Sequence, residues 1–305
     1  MVSNEAPAKL LLAGLLRGAQ TPQLVWHDLA ALPTVARVAS PSIVGFSWSR
    51  LRSRFCTGRY DLRTFAATPC PLQARLPVDG PTQCEACLRA SGFTPTFYLV
   101  EKTLLSQAQQ AYNAEPHEVY IAAFGNGLLK VGISSSRRLL SRWIEQGALF
   151  ARSVGRFSDA YEARSGEALL HRELGIPETL AQSAKTRALS NGVDAAALSK
   201  ELEGIAVQAA QMLSFKYSGP EVDLWNYFVL DRLAVVDLRG MVSVEGARPL
   251  KFGGEAVALI GRLLIARYAD FIICCSIRPF EGHLVLLDTA IPSITIPVTQ
   301  NSFSF

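Results

Sequence analysis

The stretch that most constrains the fold is residues 117–148, which predicts a strand, a tight turn, a second strand and a helix. Residues 119–121 begin an apolar run of β-forming residues. The sequence Phe-Gly-Asn-Gly at 124–127 is typical of a hairpin turn, because Asn-Gly tolerates the positive φ that such a turn needs. Residues 128–133 are expected to form the return strand. Serines 134–136 offer hydroxyls to cap a helix that follows.

This predicted hairpin and helix carry an unusual density of cations. Tyr120 lies on the first strand and Lys130 on the second, and three arginines follow them: Arg137, Arg138 and Arg142. Arginine and lysine side chains beside exposed backbone are suited to binding phosphate. The pattern therefore predicts a phosphate-binding surface around the hairpin.

The charge distribution agrees with a nucleic-acid partner. The net charge is only +4, which excludes a polycation of the histone type. Two groups of arginines nevertheless have few acidic neighbours: Arg50, Arg52, Arg54, Arg59 and Arg63, and then Arg137, Arg138, Arg142, Arg152 and Arg156. Local basic surfaces can bind nucleic acid when the total charge is modest. The alternative is that these arginines lie on ordinary solvated faces.

Four cysteines lie close together upstream of the hairpin: Cys56, Cys70, Cys84 and Cys87. A Cys-x-x-Cys turn, here residues 84–87, brings two thiolates to one ion, and two more cysteines complete a tetrahedron. Zn²⁺ accepts four thiolates, and a site with four soft ligands leaves no position for a catalytic water. The sequence therefore predicts a structural zinc site, with a redox dithiol as the alternative. Cys274 and Cys275 are expected to be ordinary buried residues.

The chain is predicted to be an α+β protein in three regions. Residues 1–95 are a β and loop region with the zinc site, residues 96–218 are an α/β unit, and residues 219–305 are rich in β-strands. Helices are expected near 159–174 and 195–215. Strands are expected near 9–16, 42–48, 233–238, 256–268, 271–277 and 284–287, with Gly219-Pro220 as a boundary and Gly253-Gly254 as a turn. Whether residues 1–50 join the C-terminal sheet stays open. No transmembrane helix is predicted, and the expected location is the cytoplasm.

The central unit resembles the GIY-YIG fold of homing endonucleases and excision-repair nucleases. Val119-Tyr120-Ile121 corresponds to the first motif and Lys130-Val131-Gly132 to the second. The resemblance implies that Arg142, or else Arg138, is the arginine that stabilises phosphorane charge, and that Glu167 holds a divalent ion. Lysine replaces the usual tyrosine of the second motif, and the first motif lacks its glycine. His171 lies four residues after Glu167 and on the same helical face; an ordinary solvated face is the alternative.

A wider resemblance covers most of the chain. The cysteines, the two motifs and the sequence RWIEQGA at 142–148 are similar to a largely uncharacterised bacterial family that joins a zinc site to a GIY-YIG-like unit. That family is expected to include seryl-tRNA-dependent transferases of azoxy natural-product biosynthesis, of the valanimycin type. The resemblance implies an aminoacyltransferase that binds tRNA and passes an aminoacyl group to a small hydroxylamine or amine.

Three functions are consistent with these features. In the transferase, Tyr120, Lys130, Arg142, Glu167 and His171 are the candidate catalytic residues, and Lys130, Arg137, Arg138 and Arg142 are the candidate contacts to the nucleic acid. The second candidate is an endonuclease that uses Mg²⁺. The third is a zinc-stabilised RNA- or DNA-binding module without catalysis. The sequence does not identify the amino acid, the acceptor or the oligomeric state.

Overall fold

The protein has a mixed α and β architecture, described by a computed structural model over residues 8–17, 22–31, 34–39, 46–215, 221–228, 237–244 and 251–288. The strands in chain order are β1 (Ala8–Leu15), β2 (Leu24–Asp28), β3 (Val35–Ala39), β4 (Phe46–Arg54), β5 (Arg59–Tyr60), β6 (Ala67–Thr68), β7 (His117–Ala123), β8 (Leu129–Ser135), β9 (Phe150–Phe157), β10 (Val222–Asp223), β11 (Val242–Ser243), β12 (Lys251–Ile260), β13 (Leu263–Tyr268), β14 (Phe271–Ser276) and β15 (His283–Asp288). The helices are α1 (Glu85–Ser91), α2 (Gln107–Asn113), α3 (Leu139–Gln146), α4 (Ala160–Leu174), α5 (Gln182–Ser190), α6 (Ala195–Met212) and α7 (Trp225–Phe228). None of the helices in these ranges is both long and apolar enough to cross a membrane.

The largest sheet joins the two ends of the chain. Its nine strands run in the order β11-β14-β13-β12-β4-β15-β1-β2-β3. β15 lies between β4 and β1, pairing Leu284 with Leu11 on one side and Leu287 with Trp48 on the other. Strands from residues 8–54 therefore share one sheet with strands from residues 251–288. The boundaries drawn near residues 95 and 218 stay predictions.

The second sheet carries the hairpin. Its four strands run in the order β10-β9-β7-β8. β7 pairs antiparallel with both β8 and β9, and all of its residues except Glu118 are buried. Helices α4 and α6 pack on this sheet and bury apolar residues such as Leu170 and Leu202 in the same core. This burial of apolar surface is the main force that holds the unit together.

Polar caps determine where the two long helices begin. Asp159 precedes α4, and its Oδ1 accepts hydrogen bonds from the backbone N–H groups of Tyr161 and Glu162, both at 2.8 Å. Asp194 caps α6 in the same way through Ala197 N at 3.0 Å. These carboxylates accept hydrogen bonds from N–H groups that would otherwise lack partners. Their negative charge also interacts favourably with the positive end of the helix dipole. Helices were expected near both positions.

The end of α3 and the β12–β13 turn contact each other through two glycines. Gly147 ends α3 with a φ of +72°, and Gly261 forms the turn between β12 and β13 with a φ of +56°. A Cβ on Gly261 would lie 2.8 Å from Gly147 N, and one on Gly147 would lie 3.0 Å from Ile260 O. Only glycine permits backbones to approach this closely. The contact places the end of the arginine-bearing helix against the C-terminal strands.

Some local predictions differ from the structure. Arg137 and Arg138 lie in a 3₁₀ turn before α3 rather than on the helix, and neither that turn nor α3 has a side-chain N-cap. Gly253-Gly254 lies inside β12 instead of at a turn, because both residues pair with β4. The expected Gly219-Pro220 boundary, residues 42–45 of the expected strand 42–48 and residues 233–236 of the expected strand 233–238 lie outside the described residues.

Candidate functional site

The four cysteines form a compact cluster. The Sγ atoms of Cys56, Cys70, Cys84 and Cys87 all lie within 4.8 Å of one another, and those of Cys70 and Cys84 are 3.9 Å apart. A tetrahedral site with metal–sulfur bonds of about 2.3 Å has sulfur–sulfur edges of about 3.8 Å. Three of the four residues are buried, which limits access of water. The donor set and its spacing therefore fit a metal ion such as zinc.

Local backbone geometry supports this cluster. The Sγ atom of Cys56 accepts hydrogen bonds from Gly58 N at 3.4 Å and Cys84 N at 3.2 Å, an arrangement that stabilises a thiolate. Gly58 has a φ of +77°, and a Cβ there would lie 2.1 Å from Thr68 O. The glycine after Cys56-Thr57 is therefore required for the chain to turn its N–H toward the sulfur.

The second candidate site is built around a buried tyrosine. Tyr120 lies on β7, is fully buried, and donates from its hydroxyl to Gln146 Oε1 at 2.9 Å. With the amide of Gln146 in the opposite orientation, its oxygen accepts from Arg142 Nε at 3.2 Å and Nη2 at 3.0 Å, and its nitrogen donates to Tyr120. The second orientation satisfies both neighbours. Gln146 thus couples Tyr120 to the guanidinium of Arg142.

The glycine of the second motif has a packing role. Gly132 lies directly across from Tyr120 in the β7–β8 ladder. A Cβ on Gly132 would lie 2.5 Å from Tyr120 Oη and 2.6 Å from Cζ. The tyrosine ring therefore lies over the glycine, and a larger residue there would displace it.

Lys130 lies beside this ring. It is two residues from Gly132 on β8, so its side chain is on the same face of the sheet as Tyr120. Its Nζ donates to Val131 O at 3.2 Å. Burial, followed by the charge of Arg142, lowers the pKa of Lys130 to about 8, while Glu167 and Glu178 oppose the shift. The amine can therefore both accept and donate a proton near neutral pH.

Glu167 is close to this lysine but has another partner. It is buried on α4, where it pairs with Arg164, and the Nη2 atom of Arg164 also contacts Glu178 Oε2 at 2.9 Å. Burial raises the pKa of Glu167, and the Arg164 guanidinium works against that rise. The two carboxylates share one arginine. The charges of Arg142 and Glu167 both act on Tyr120 and on Lys130, so the structure places these four residues near one another.

Three other predicted residues have separate positions. His171 is exposed at the end of α4, where its Nδ1 lies 2.8 Å from Ile176 O. Arg137 pairs with Glu115 at 2.6 Å and donates to the carbonyl of Arg63 at 2.6 Å. Arg138 is largely buried and pairs with Glu145. Arg137 therefore contacts the segment that carries the cysteines, and Arg138 contacts α3, both through internal contacts.

Sequence reasoning did not identify Lys185. This residue lies on α5, and its Nζ donates to Gln146 O at 2.9 Å and lies 3.8 Å from the centroid of the Phe124 ring. Burial lowers its pKa to about 7, and the charges of Lys130 and Arg142 add to the effect. The helix carries no recognisable motif, so only the tertiary arrangement shows that this lysine belongs near the others.

The fold and its two sites define an α+β protein that combines a four-cysteine cluster with a cluster of partly buried cations. A family model described as a protein of unknown function (DUF2797) matches residues 100–285, which is more than half of the chain, and the chain belongs to that family. The matched range begins after the cysteine cluster and includes the hairpin. No curated protein and no solved structure matches the chain.

Proposed function

We propose that the protein acts on a nucleic acid, tRNA first of all, and transfers an aminoacyl group from its 3′ end to a small hydroxylamine or amine. The observation that carries this proposal is the position of Lys130 on the same sheet face as Tyr120, with Gln146 coupling Tyr120 to the Arg142 guanidinium. Burial lowers the pKa of Lys130 to about 8, which suits a proton carrier near neutral pH. The ester of an aminoacyl-tRNA is already activated, so the reaction needs orientation and proton transfer, and no catalytic metal. The GIY-YIG-like arrangement of β7, β8 and α3 provides the scaffold in this proposal.

The proposed step balances within these groups. The neutral Lys130 amine takes a proton from the small hydroxylamine or amine. At the same time, the nitrogen or oxygen of that small molecule forms a bond to the ester carbonyl carbon. The bond from that carbon to the terminal ribose oxygen then breaks, and the Lys130 ammonium returns the proton to that oxygen. Arg142 stabilises the negative charge that develops on the carbonyl oxygen, or holds a neighbouring phosphate.

The remaining residues support this centre. Tyr120 positions Arg142 through Gln146, since its hydroxyl is buried against that amide. Glu167 pairs with Arg164, and its negative charge limits how far the pKa of Lys130 is lowered. His171, exposed on α4, is a second candidate for proton transfer. A zinc ion held by the four cysteines would stabilise the upstream segment.

Labelled aminoacyl-tRNA tests the transferase. The protein is incubated with total tRNA charged with labelled amino acids, seryl-tRNA included, and with N-methylhydroxylamine, and the rate without protein is subtracted. We expect label to pass to the small molecule without Mg²⁺, and Lys130→Met to reduce this rate by more than tenfold. Lys200→Met, on the exposed face of α6, is the matched control. Transfer that is equally fast in Lys130→Met would contradict the proposal.

A metal-dependent endonuclease is the second candidate. It is favoured by Glu167, which lies near Tyr120 and Lys130 as the GIY-YIG resemblance implies. Its carboxylate would hold Mg²⁺ only by exchanging its contact with Arg164. Mg²⁺-dependent nicking of plasmid DNA that Glu167→Gln abolishes would support this reading. Retention of RNA on a filter without consumption of either substrate would support a binding module.

A further inference from the structure

The position of Lys185 is fixed by close packing. Helix α5 lies against the β7–β8 turn, where a Cβ on Gly125 would be 2.5 Å from the Cβ of Ala188. Lys185 lies three residues before Ala188 on the same helix face, and its ammonium lies over the ring of Phe124. Its ammonium reaches the backbone carbonyl of Gln146 at the end of α3. The side chain therefore bridges α5 to the helix that carries Arg142.

Within the described part of the chain, no carboxylate pairs with the lysine ammonium groups at this point. Among the described residues, neither Lys130 nor Lys185 lies in an ion pair, and each ammonium has one backbone carbonyl as its acceptor. The nearby carboxylates of Glu167 and Glu178 are both bound to Arg164. An ammonium has three N–H donors, so both lysines keep donors for a ligand. Partly buried like charges without a counter-ion raise the free energy of the protein, and an anion would lower it.

We propose that Arg142 and Lys185 form one binding site for a phosphodiester group beside the proton carrier Lys130, in which Lys185 is a contact supplied by α5. The two cations come from α3 and α5, and a phosphate group has enough acceptor oxygens to bind donors from different directions. The inference rests on the proposed function for the identity of the substrate as a nucleic acid. It adds to that function by assigning this site to a backbone phosphate of the nucleic acid.

Competitive acetylation of the wild-type protein tests the site directly. Acetic anhydride is applied at pH 7.5 with and without tRNA, and the modification of each lysine is measured by mass spectrometry. Lys185 is expected to react faster than the exposed Lys200, because much of its amine is neutral at this pH. Bound tRNA should reduce the modification of Lys185 and Lys130 at least fivefold and leave Lys200 unchanged. Binding of tRNA without this protection overturns the inference and leaves the proposed function standing.

A second arm separates the site from the function. The acetylation is repeated with inorganic pyrophosphate in place of tRNA. Protection of Lys185 by pyrophosphate in a protein that does not bind tRNA would support the anion site and contradict the nucleic-acid function. Lack of protection by either probe overturns the inference.

Salt dependence of binding provides a quantitative check. The affinity for labelled tRNA is measured from 50 to 300 mM KCl for wild type, Lys185→Met and Lys200→Met. Each lost phosphate contact reduces the slope of log K against log salt by about 0.7–0.9. We expect this reduction, with about tenfold weaker binding, for Lys185→Met only. An unchanged slope in a Lys185→Met protein that is folded, as shown by its circular dichroism, would contradict the assignment.

Discussion

The Lys185 ammonium, which has no carboxylate partner among the described residues, leads to a prediction about stability. Replacing it with methionine keeps an unbranched apolar side chain and removes the ammonium, which lies over the Phe124 ring and donates to Gln146 O. The pKa of Lys185 is lowered from 10.5 to about 7, and one pKa unit corresponds to about 1.4 kcal/mol. The full shift would correspond to about 5 kcal/mol below pH 7, as an upper limit. Because a long side chain can turn its ammonium toward water, we expect Lys185→Met to gain about 2 kcal/mol of unfolding free energy at pH 6.

The pH dependence of this gain has a defined sign. The unfolded chain keeps the proton of Lys185 up to about pH 10.5, whereas the folded protein loses it near pH 7. The unfolded state therefore binds more protons between these values, and the stability of the wild type rises with pH in this window. The advantage of Lys185→Met should be largest at pH 6 and should shrink toward pH 9.5.

Urea unfolding measures both effects. Tryptophan fluorescence is followed at pH 6, 7.5 and 9.5 with the zinc concentration held constant, and Lys200→Met is the control for loss of a lysine. The other titrating groups are the same in both proteins, so they cancel in the difference. A variant that is less stable than the wild type at pH 6, or a difference that does not change with pH, would refute the reasoning.

Three further predictions follow from the packing and from the cysteines. Gly132→Ala should lose about 2 kcal/mol of unfolding free energy, because the new methyl group meets the buried ring of Tyr120; equal loss in Gly204→Ala, where a Cβ meets open space, would contradict this cause. Cys84→Ser should reduce bound zinc, measured by elemental analysis, from one ion per chain to well below half, while Cys274→Ala should keep it. Equal zinc in both variants would show that the cluster is not the zinc site. A strong chelator should lower the melting temperature of the wild type by at least 5 °C and leave that of Cys84→Ser unchanged.

The parts of the fold that the sequence predicted depend on local chemistry. The β7–β8 hairpin follows from its turn and its apolar runs, and α4 and α6 follow from their periodicity. The cysteine cluster follows from spacing, because Cys-x-x-Cys already brings two sulfur atoms together. In each case the determining residues are near one another in the chain.

Other parts depend on contacts between distant residues. β9 was not predicted, because its arginines interrupt the apolar pattern, yet it lies at the centre of the second sheet between β7 and β10. The role of Arg137 as a phosphate contact stays a prediction, and the sequence did not show its partners, Glu115 and the carbonyl of Arg63, which lie 22 and 74 residues earlier in the chain. Lys185 lies 39 residues from the carbonyl that it contacts, and only the packing of α5 on the hairpin brings it there.

The most direct test of the proposed function is the pH dependence of aminoacyl transfer. The protein-dependent rate of label transfer from charged tRNA to N-methylhydroxylamine is measured from pH 6 to pH 9.5 for wild type and Lys130→Met. Because Lys130 acts as the base with a pKa of about 8, the wild-type rate should rise with pH and level off above about pH 8.5, and this rise should be absent from the residual rate of Lys130→Met. A protein-dependent rate with the same pH profile in both proteins, or no transfer from any charged tRNA, would contradict the account.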